Sequence, residues 1–506
     1  MVTPEARPFA KTGGLADVTG ALPQALSRLG HRVTVVLPRY RGVEPGATGG
    51  HRADVPLGPQ RYPITFIERP LGPRVTAVLI DAPDLYDRDG LYGDSSGDYA
   101  DNGFRFAVLS RGALEYARLR GTRPSVIHTH DWQTGPVAVY ARTALADDPI
   151  IGGVPCVLTI HNLAFQGLFA PDIMQWVGLS PDLFTVAALE FWGRVSYLKG
   201  GVLFSRSITT VSPTYAREIL TPEFGFGFEG ILATRAADLG GILNGIDTRA
   251  WDPETDPFLP AHFSAASIRG KRQVKRALFE AAGLGVDAAS LARPAIGLVS
   301  RLTDQKGFDL IMAAADTLMA FDATWIMLGS GERRFEDFWR DLALRHPARV
   351  AVRIGFDERM AHLIEAGSDL FLMPSRFEPC GLNQMYSLRY GTVPVVRAIG
   401  GLADTVQDAD TPPGEGTGFS FRNYTPPALA DALRRALAAY RVPRRWARIR
   451  RSAMARDHSW DVSAREYVKV YRGTENREAT DGIRKGTDAD RRQLRADRQR
   501  RKTRAR

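Results

Sequence analysis

The sequence has only two cysteines in 506 residues, Cys156 and Cys380, and they lie far apart in the chain. Two isolated thiols argue against a disulfide framework and are typical of a protein from a reducing cytosol. Long apolar runs are lacking too, because no stretch approaches the roughly 18–20 residues that a membrane-spanning helix needs. The amino terminus also lacks a signal-peptide pattern. We therefore expect a cytoplasmic protein with no membrane partner.

Several catalytic signatures are missing as well. The chain has no Walker motif and no G-x-G-x-x-G fingerprint with an acidic ribose ligand, which disfavours nucleotide hydrolysis and dinucleotide redox chemistry. It contains no Ser/His/Asp relay, nucleophile elbow or catalytic Cys/His pair. Histidines cluster at His128, His130 and His161, but the run 128–130 alternates between the faces of a strand, and no H-E-x-x-H motif or cysteine pair completes a coordination sphere. We expect no metal site.

The formal net charge of +10 is concentrated at the carboxyl end. Residues 473–506 contain twelve Lys or Arg and six Asp or Glu, a net charge of +6 that leaves +4 for the rest of the chain. Few large apolar residues occur in this segment, so we expect a disordered tail that is either simply solvated or contacts an acidic partner or polyanion. Because most of the net charge lies in the tail, we do not expect a nucleic-acid partner.

Short β-branched apolar runs alternate with helical patterns along most of the chain, which is typical of parallel α/β sheets. The predicted strands of the first half are 32–37, 75–80, 125–128, 156–160 and 207–211, and those of the second half are 295–299, 324–328, 350–354, 370–373 and 393–396. These two series predict an α/β protein with two doubly wound, Rossmann-like domains that face each other across a cleft.

A segment without strong periodicity separates the two series. It includes the run 244–247 and the proline-rich stretch from Trp251 to Pro260, so we place the domain boundary near Asn244. The predicted organisation is an N-terminal domain over 1–243, a C-terminal domain over 244–459, a final helix over 460–472 that crosses back to the first domain, and the tail over 473–506.

The turn after the predicted strand 370–373 places Glu378, Cys380 and Gly381 just before a predicted helix over 382–390. Backbone N–H groups at such a helix start attract anions, and a carboxylate can hydrogen-bond the hydroxyl groups of a sugar. The turn is therefore either a sugar-phosphate site or an ordinary loop without a ligand. Because ligands bind at the carboxyl ends of parallel strands, loops in this position are expected to carry the chemistry.

Two further loops are suited to phosphate binding. Arg301 and Lys306 follow the strand 295–299, and an arginine fork with a lysine point charge can hold a pyrophosphate, although both could be ordinary surface cations. The segment 11–18 is a second glycine-rich loop that opens a helix, with Asp17 in its first turn. Its adjacent glycines allow a phosphate or sugar to approach the backbone, and a plain tight turn is the alternative.

Taken together, the motifs resemble those of the bacterial glycogen synthases and plant starch synthases. The similarity runs from Pro4 to about Tyr471 and is carried by K-T-G-G-L-A-D-V (11–18), D-Y-A-D-N-G-F-R-F (98–106), H-T-H-D-W (128–132), T-I-H-N-L-A-F-Q-G (159–167), N-G-I-D (244–247), S-R-L-T-D-Q-K-G (300–307) and R-F-E-P-C-G-L (376–382). The resemblance implies the GT-B glycosyltransferase fold and transfer of glucose from ADP-glucose to the non-reducing end of an α-1,4-glucan such as glycogen, with retention of configuration and without a metal or cofactor.

The same resemblance implies a role for individual residues. It assigns catalysis to His161, Arg301, Lys306 and Glu378, with His161 beside the anomeric carbon and the two cations on the diphosphate. The implied substrate-binding residues are Lys11, Gly14, Asp17, Tyr99, Asn102, Asp131, Asn244, Phe356, Cys380, Gly381 and Leu382. Within this set Phe356 is expected to pack on the adenine, while Tyr99 and Asn102 lie near the acceptor glucan.

One departure from the family concerns the amino terminus, where only Met1-Val2-Thr3 precede Pro4 and the first strand is expected to be truncated. A shortened strand next to the Lys11 loop leaves open a catalytically impaired glucan-binding protein. A related transferase that uses a UDP-sugar is the other alternative. Oligomeric state cannot be read from the sequence.

Overall fold

The short apolar runs form strands in the computed structural model, which describes residues 1–44, 50–411 and 416–474. The strands are β1 (Val33–Pro38), β2 (His51–Leu57), β3 (Gln60–Gly72), β4 (Val75–Asp81), β5 (Gly93–Asp94), β6 (Gly97–Asp98), β7 (Ile127–His130), β8 (Cys156–Ile160), β9 (Leu168–Phe169), β10 (Glu190–Phe191), β11 (Arg194–Ser196), β12 (Ser207–Thr210), β13 (Leu239–Gly241), β14 (Ala295–Val299), β15 (Thr324–Gly329), β16 (Val350–Ile354), β17 (Leu370–Met373), β18 (Val393–Arg397) and β19 (Phe419–Phe421).

Helices connect most of these strands. They are α1 (Gly14–Arg28), α2 (Pro83–Tyr86), α3 (Asn102–Arg120), α4 (Pro136–Arg142), α5 (Ile173–Val177), α6 (Tyr197–Phe204), α7 (Pro213–Glu218), α8 (Glu229–Thr234), α9 (Arg269–Ala281), α10 (Ala288–Ala292), α11 (Phe308–Ala313), α12 (Ala315–Met319), α13 (Arg333–Arg345), α14 (Glu358–Gly367), α15 (Asn383–Arg389), α16 (Gly400–Thr405), α17 (Pro426–Tyr440), α18 (Pro443–Met454) and α19 (460–474). Within the described ranges, no helix is both long and apolar enough to cross a bilayer.

The chain divides into two units. Among the described residues, the first comprises Met1–Thr209, Gly230–Gly240 and Ala464–Thr474, and the second comprises Thr210–Glu229 and Gly241–Ser463. The domain limits predicted from the sequence stay predictions, and the predicted tail lies, from residue 475, outside the described residues.

The first unit contains a sheet in which the neighbours run β2-β3-β4-β1 on one side and β7-β8-β12-β13 on the other. Val2 joins the two halves, because it bridges in parallel to Val36 of β1 and to Thr129 of β7. Its N–H donates to the carbonyl of His128 at 2.8 Å. The parallel strands therefore follow the 3-2-1-4-5-6 order of Rossmann-like sheets, with residues 1–3 as the central first strand.

The sheet of the second unit is parallel throughout and runs β16-β15-β14-β17-β18-β19. Alternating residues face opposite layers: Trp325 and Met327 of β15 pack in one apolar cluster, and Ile326 and Leu328 in the other. Numbered from β14, the order is again 3-2-1-4-5-6, which puts the point where strand order reverses between β14 and β17. The predicted Rossmann-like fold class is confirmed for both units.

Candidate functional site

The donor-side residues of the second unit meet where its strand order reverses. Lys306 follows β14 and Glu378 follows β17, and these neighbouring strands end at the same edge of the sheet. The Lys306 ammonium donates to Glu378 Oε2 at 2.6 Å, and Ser375 Oγ donates to the same oxygen at 3.1 Å. Crevices at such a point are the usual ligand sites of open α/β sheets. The structure thus brings together the pair that the sequence singled out.

Gly307 lets the two loops touch. It closes the 3-10 turn Asp304–Lys306 with a φ of 81°. A Cβ at this position would lie 2.1 Å from the carbonyl oxygen of Pro374. Only glycine fits such a backbone conformation and such a close approach without strain. The glycine therefore sets the distance between the Lys306 loop and the Glu378 turn.

Two other predicted donor residues are open to solvent. Arg301 is exposed, and its guanidinium has no hydrogen-bond or ion-pair partner among the residues that the structure describes. Phe356 follows β16 and is 87% exposed. A free guanidinium fork suits a phosphate, and an exposed ring suits a stacked base. Both side chains remain available to a ligand.

Buried groups support the turn formed by residues 378–382. Burial raises the pKa of the Cys380 thiol to about 12, so it stays protonated, and hydrogen bonding from the nearby Asn244 offsets only part of that rise. Asn244 Oδ1 is buried without a partner among the described residues. Gly381 has a φ of 73°, and Leu382 lies directly before α15. Asn244, although remote in sequence, is thus part of this turn.

The Lys11 loop of the first unit follows the strand that contains Val2. Lys11 Nζ donates to both carboxylate oxygens of Asp17 at 2.8 Å, and Arg7 Nε pairs with Asp17 at the same distance. Gly14 begins α1. The structure therefore shows Asp17 as the partner that holds Lys11, whereas a direct contact of Asp17 with substrate stays a prediction.

A buried carboxylate supports this loop from inside. Glu5 accepts hydrogen bonds from the N–H and the hydroxyl of Thr12, and burial raises its pKa. Sequence analysis missed Glu5, because a single acid ahead of the glycine-rich segment has no spacing that marks it as a support.

Asp131 and His161 follow β7 and β8, which are adjacent parallel strands. Asp131 adopts a φ of 57°, a strained conformation for a non-glycine residue. Its carboxylate accepts the backbone N–H of His161 at 2.6 Å, and burial raises its pKa to about 7. The structure thus brings these two predicted residues into direct contact.

His161 also contacts a second histidine that sequence reasoning did not assign to the site. His161 Nε2 lies 3.0 Å from His130 Nδ1, so one of these nitrogens donates to the other. Burial lowers the pKa of His161 to about 3 and also lowers that of His130. The pair is therefore neutral at physiological pH.

The expectation that alternation along the strand separates His128 from His130 is wrong. Residues two apart in a strand share a face, and the two rings lie 4.2 Å apart. His128 is bonded through Nδ1 to the Tyr471 hydroxyl at 2.8 Å and through Nε2 to Thr159 Oγ1 at 2.6 Å. Among the described residues, no three His, Cys, Asp or Glu side chains form a metal-binding group.

Tyr99 and Asn102 lie in a network around buried Arg105. Asn102 donates to the carbonyl of Tyr92 at 2.7 Å and accepts from Arg105 at 2.6 Å. The Arg105 guanidinium stands 5.0 Å from the centre of the Tyr99 ring. These contacts give both residues a structural role, and their predicted contact with the acceptor glucan stays a prediction.

Comparison with known proteins identifies the family. The family described as starch synthase catalytic domain matches residues 1–234, and the family described as glycosyl transferases group 1 matches 288–452. A glycogen synthase from Anaeromyxobacter dehalogenans strain 2CP-1 is 50% identical over 474 residues, which cover 93% of this chain and 98% of the relative. A glycogen synthase from Koribacter versatilis is 46% identical, covering 92% and 96%.

Solved structures point the same way. The catalytic domain of starch synthase IV from Arabidopsis thaliana, bound to ADP and acarbose, has a TM-score of 0.85 at 33% identity, covering 94% of this chain and 98% of that one. Sucrose-phosphate synthase from Thermosynechococcus elongatus, at 16% identity and a TM-score of 0.57, shares the fold alone. The match of sequence and fold confirms the resemblance found in the motifs: the chain belongs to the glycogen and starch synthase family of glycosyltransferases.

Proposed function

We propose that this glycosyltransferase moves glucose from ADP-glucose to the non-reducing end of an α-1,4-glucan, with retention of configuration. The observation that carries the proposal is the Lys306–Glu378 pair at the reversal point of the second sheet, with the unpaired Arg301 guanidinium on the same loop as Lys306. This arrangement supplies cations for a diphosphate next to a carboxylate for a sugar. The related starch synthase IV was solved with ADP and acarbose, a nucleotide and a sugar of these two kinds.

Arg301 and Lys306 are the proposed diphosphate ligands. Departure of ADP places negative charge on the distal phosphate, and fixed cations stabilise that charge most as it develops. Lys306 is already held by Glu378, so its ammonium is positioned before the donor arrives. Arg301 adds a fork that matches two phosphate oxygens. Phe356, exposed after β16, is the proposed platform for the adenine.

The Glu378 turn is the proposed glucose site. The Glu378 carboxylate and the free Asn244 Oδ1 can accept hydrogen bonds from sugar hydroxyl groups. The backbone groups of Cys380, Gly381 and Leu382 are the remaining proposed ligands of the glucose. The protonated Cys380 thiol serves as packing and not as a nucleophile, because burial raises its pKa to about 12.

Residues of the first unit are the proposed partners of the reacting sugar and the glucan. His161 is neutral, since its pKa is about 3, and therefore acts as a hydrogen-bonding group and not as a general acid. Asp131 orients it through the backbone N–H. Lys11, held by Asp17, adds a cation, and the Gly14 backbone lets the substrate come close.

The proposed step balances without a protein nucleophile. The bond between glucose C1 and the phosphate oxygen breaks, and its electron pair leaves with ADP. The acceptor 4-hydroxyl attacks C1 from the same face and forms the new glycosidic bond, while its proton passes to the departing phosphate. The role of the protein is to stabilise the separated charges.

We propose that the reaction needs no metal ion and that it takes place in the cytoplasm. Turnover that is unchanged after chelation and dialysis supports a metal-independent reaction, and activity restored only by added Mg²⁺ or Mn²⁺ contradicts it.

The experiment that tests the donor measures nucleotide release in the presence of glycogen, with ADP-glucose and UDP-glucose offered separately. We expect ADP to be released from ADP-glucose faster than UDP is released from UDP-glucose, with one glucose incorporated into glycogen for each ADP released. Preference for UDP-glucose contradicts the proposed donor. Binding of ADP-glucose and glycogen without release of ADP contradicts the proposed catalysis.

A further inference from the structure

Helix α7 lies in the segment Thr210–Glu229, which belongs to the second unit although it precedes that unit's sheet by many residues. It packs against α16, and both ends of the contact are hydrogen bonded. The Glu218 carboxylate at the end of α7 accepts the Gly400 N–H at the start of α16, at 3.0 and 3.1 Å. At the other end, the Asp404 carboxylate accepts the N–H of Thr214 at 2.8 Å and its hydroxyl at 2.6 Å.

This pairing is favourable because each carboxylate occupies the amino-terminal end of the partner helix. The first N–H groups of a helix lack intrahelical acceptors and carry partial positive charge, so an anion there is stabilised. Glu218 and Asp404 satisfy these donors reciprocally. Hydrogen bonds to charged groups are stronger than those between neutral groups. The contact therefore fixes α16 on α7 at two points.

The start of α16 also contacts the proposed glucose turn, residues 378–382. The Gly401 N–H donates to the carbonyls of Glu378 and Pro379, at 3.2 Å each. A Cβ on Gly400 would lie 1.9 Å from the Glu378 carbonyl oxygen, and one on Gly401 would lie 2.1 Å from that of Cys380. The main chain of α16 thus sits directly against the main chain of Glu378–Cys380, with no side chain between them.

An apolar contact supports the same arrangement. Ile399, just before α16, and Leu402, within it, belong to a buried cluster against which Phe224 and Phe377 pack. Phe377 immediately precedes Glu378, and the ring of Phe226 meets it edge-on at 5.6 Å. The segment 210–229 therefore reaches the glucose turn by two routes, through the start of α16 and through Phe377.

We infer that Glu218 is a positioning residue for the donor sugar: by holding Gly400, it fixes the backbone of the Glu378–Cys380 turn in the place where glucose binds. The inference rests on the proposed function in one respect, namely that this turn binds the glucose of the donor. Glu218 itself does not touch substrate. Its loss should therefore weaken contacts to the sugar more than contacts to the diphosphate, because Arg301 lies outside this turn.

Calorimetric titration of ADP and of ADP-glucose separates these effects in Glu218→Ala and Glu218→Gln variants of the full chain. We expect Glu218→Ala to bind ADP-glucose about tenfold more weakly, the loss of one charge-assisted hydrogen bond, and to lose less affinity for ADP, because Arg301 lies outside the turn. Glutamine keeps an acceptor oxygen without the charge, so its affinity for ADP-glucose should lie between those of the parent and the alanine variant. The KM for ADP-glucose should rise with it, while the KM for glycogen stays constant.

Asp287→Ala is the matched control, because Asp287 also accepts helix N–H groups, those of Ala289 and Ser290 at the start of α10. This control should leave both affinities unchanged. Equal weakening of ADP and ADP-glucose by the Glu218 variants, or no weakening of either, overturns the inference. A parent chain that binds ADP but not ADP-glucose contradicts the proposed function instead, so the two failures are distinguishable.

Discussion

Lys306 and Glu378 are the residues on which the donor site depends most. Each is largely buried and each is the ion-pair partner of the other, with side-chain exposures of 19% and 6%. Removing one member leaves a buried charge without a partner and also removes a group that is proposed to contact the donor.

We predict that Lys306→Ala and Glu378→Ala each lower turnover by about 100-fold, or about 3 kcal/mol in the activation free energy, as expected for the loss of one preorganised charge. Steady-state ADP release measures the effect. Lys469→Ala is the control, since Lys469 forms an equally short but exposed pair with Glu466 at 2.6 Å. Near-normal turnover in either site variant would remove that residue from catalysis.

Asp131 gives the site a pH dependence. Burial raises its pKa to about 7, so it loses its proton near neutrality, whereas His161, with a pKa of about 3, does not titrate between pH 5 and 9. We predict that kcat/KM rises with pH through about 7, as the Asp131 carboxylate forms and accepts the His161 N–H more strongly. A pH profile of Asp131→Asn should lack this inflection, and its persistence in the variant would assign it to another group.

The same residue links pH to stability with the opposite sign. The folded state holds the Asp131 proton up to about pH 7, whereas the unfolded chain loses it near 3.8. Between these values the folded state binds more protons, so the contribution of Asp131 to the free energy of unfolding falls as pH rises. Denaturation of the parent and of Asp131→Asn at pH 5 and pH 7 should therefore show the variant gaining relative to the parent at the higher pH. A constant difference would contradict the raised pKa.

Among the elements, α16 contacts the main chain of the proposed glucose turn directly. Gly400 has a φ of 45°, and its missing side chain lets the helix start contact the Glu378 carbonyl. We predict that Gly400→Ala lowers the free energy of unfolding by about 1–3 kcal/mol and weakens ADP-glucose binding, because the new methyl group must displace the turn. Chemical denaturation and calorimetric titration measure the two effects.

Gly230→Ala is the control for this substitution. Gly230 lies in α8, and a Cβ there meets nothing within 4 Å. Alanine also favours a helix more than glycine does, so stability should be equal or higher. If Gly400→Ala changes the free energy of unfolding no more than Gly230→Ala does, the close contact of Gly400 with Glu378 does not contribute to stability.

The sequence predicted the parallel strands well, because their apolar runs are local signals. Each predicted strand is observed within two residues of its predicted ends, including all of β14, β16 and β17. The antiparallel strands β2 and β3 were not predicted, because exposed residues interrupt the apolar pattern of both strands and β2 lies at the edge of the sheet. Val2 completes the first sheet with very few residues, too short a run for any periodicity to identify.

The site was predictable where its residues stand in a sequence motif. It was not predictable where the supporting residues are remote in sequence. Lys306 and Glu378 stand in recognisable loops, and the structure pairs them. The hydrogen bonds of Glu218 to Gly400 and of His130 to His161 join residues that are remote in sequence, and no local spacing announces such contacts. Nor did the sequence place the segment Thr210–Glu229 with the second unit.

In the molecule as a whole, the two units share one strand order and place some of their predicted residues in the same way. Each has a 3-2-1-4-5-6 order of parallel strands, and each places two of its predicted residues in the loops where that order reverses: Lys11 and Asp131 in the first unit, Lys306 and Glu378 in the second.

All proposed site residues precede residue 475. We therefore predict that a chain ending at Thr474 has unchanged turnover with ADP-glucose and glycogen, although it loses most of the excess positive charge. Assays at low and high salt measure this, because binding of a polyanion through the tail would be weakened by salt. A loss of glycogen affinity on truncation would give the tail a part in substrate binding.

The measurement that tests the account most directly is release of ADP from ADP-glucose by the full chain with glycogen, together with the incorporation of glucose and with Lys306→Ala as the comparison. The account predicts one glucose incorporated per ADP released by the parent, little release without glycogen, and about 100-fold slower release by the variant. No release of ADP by the parent, or equal rates for parent and variant, would contradict it.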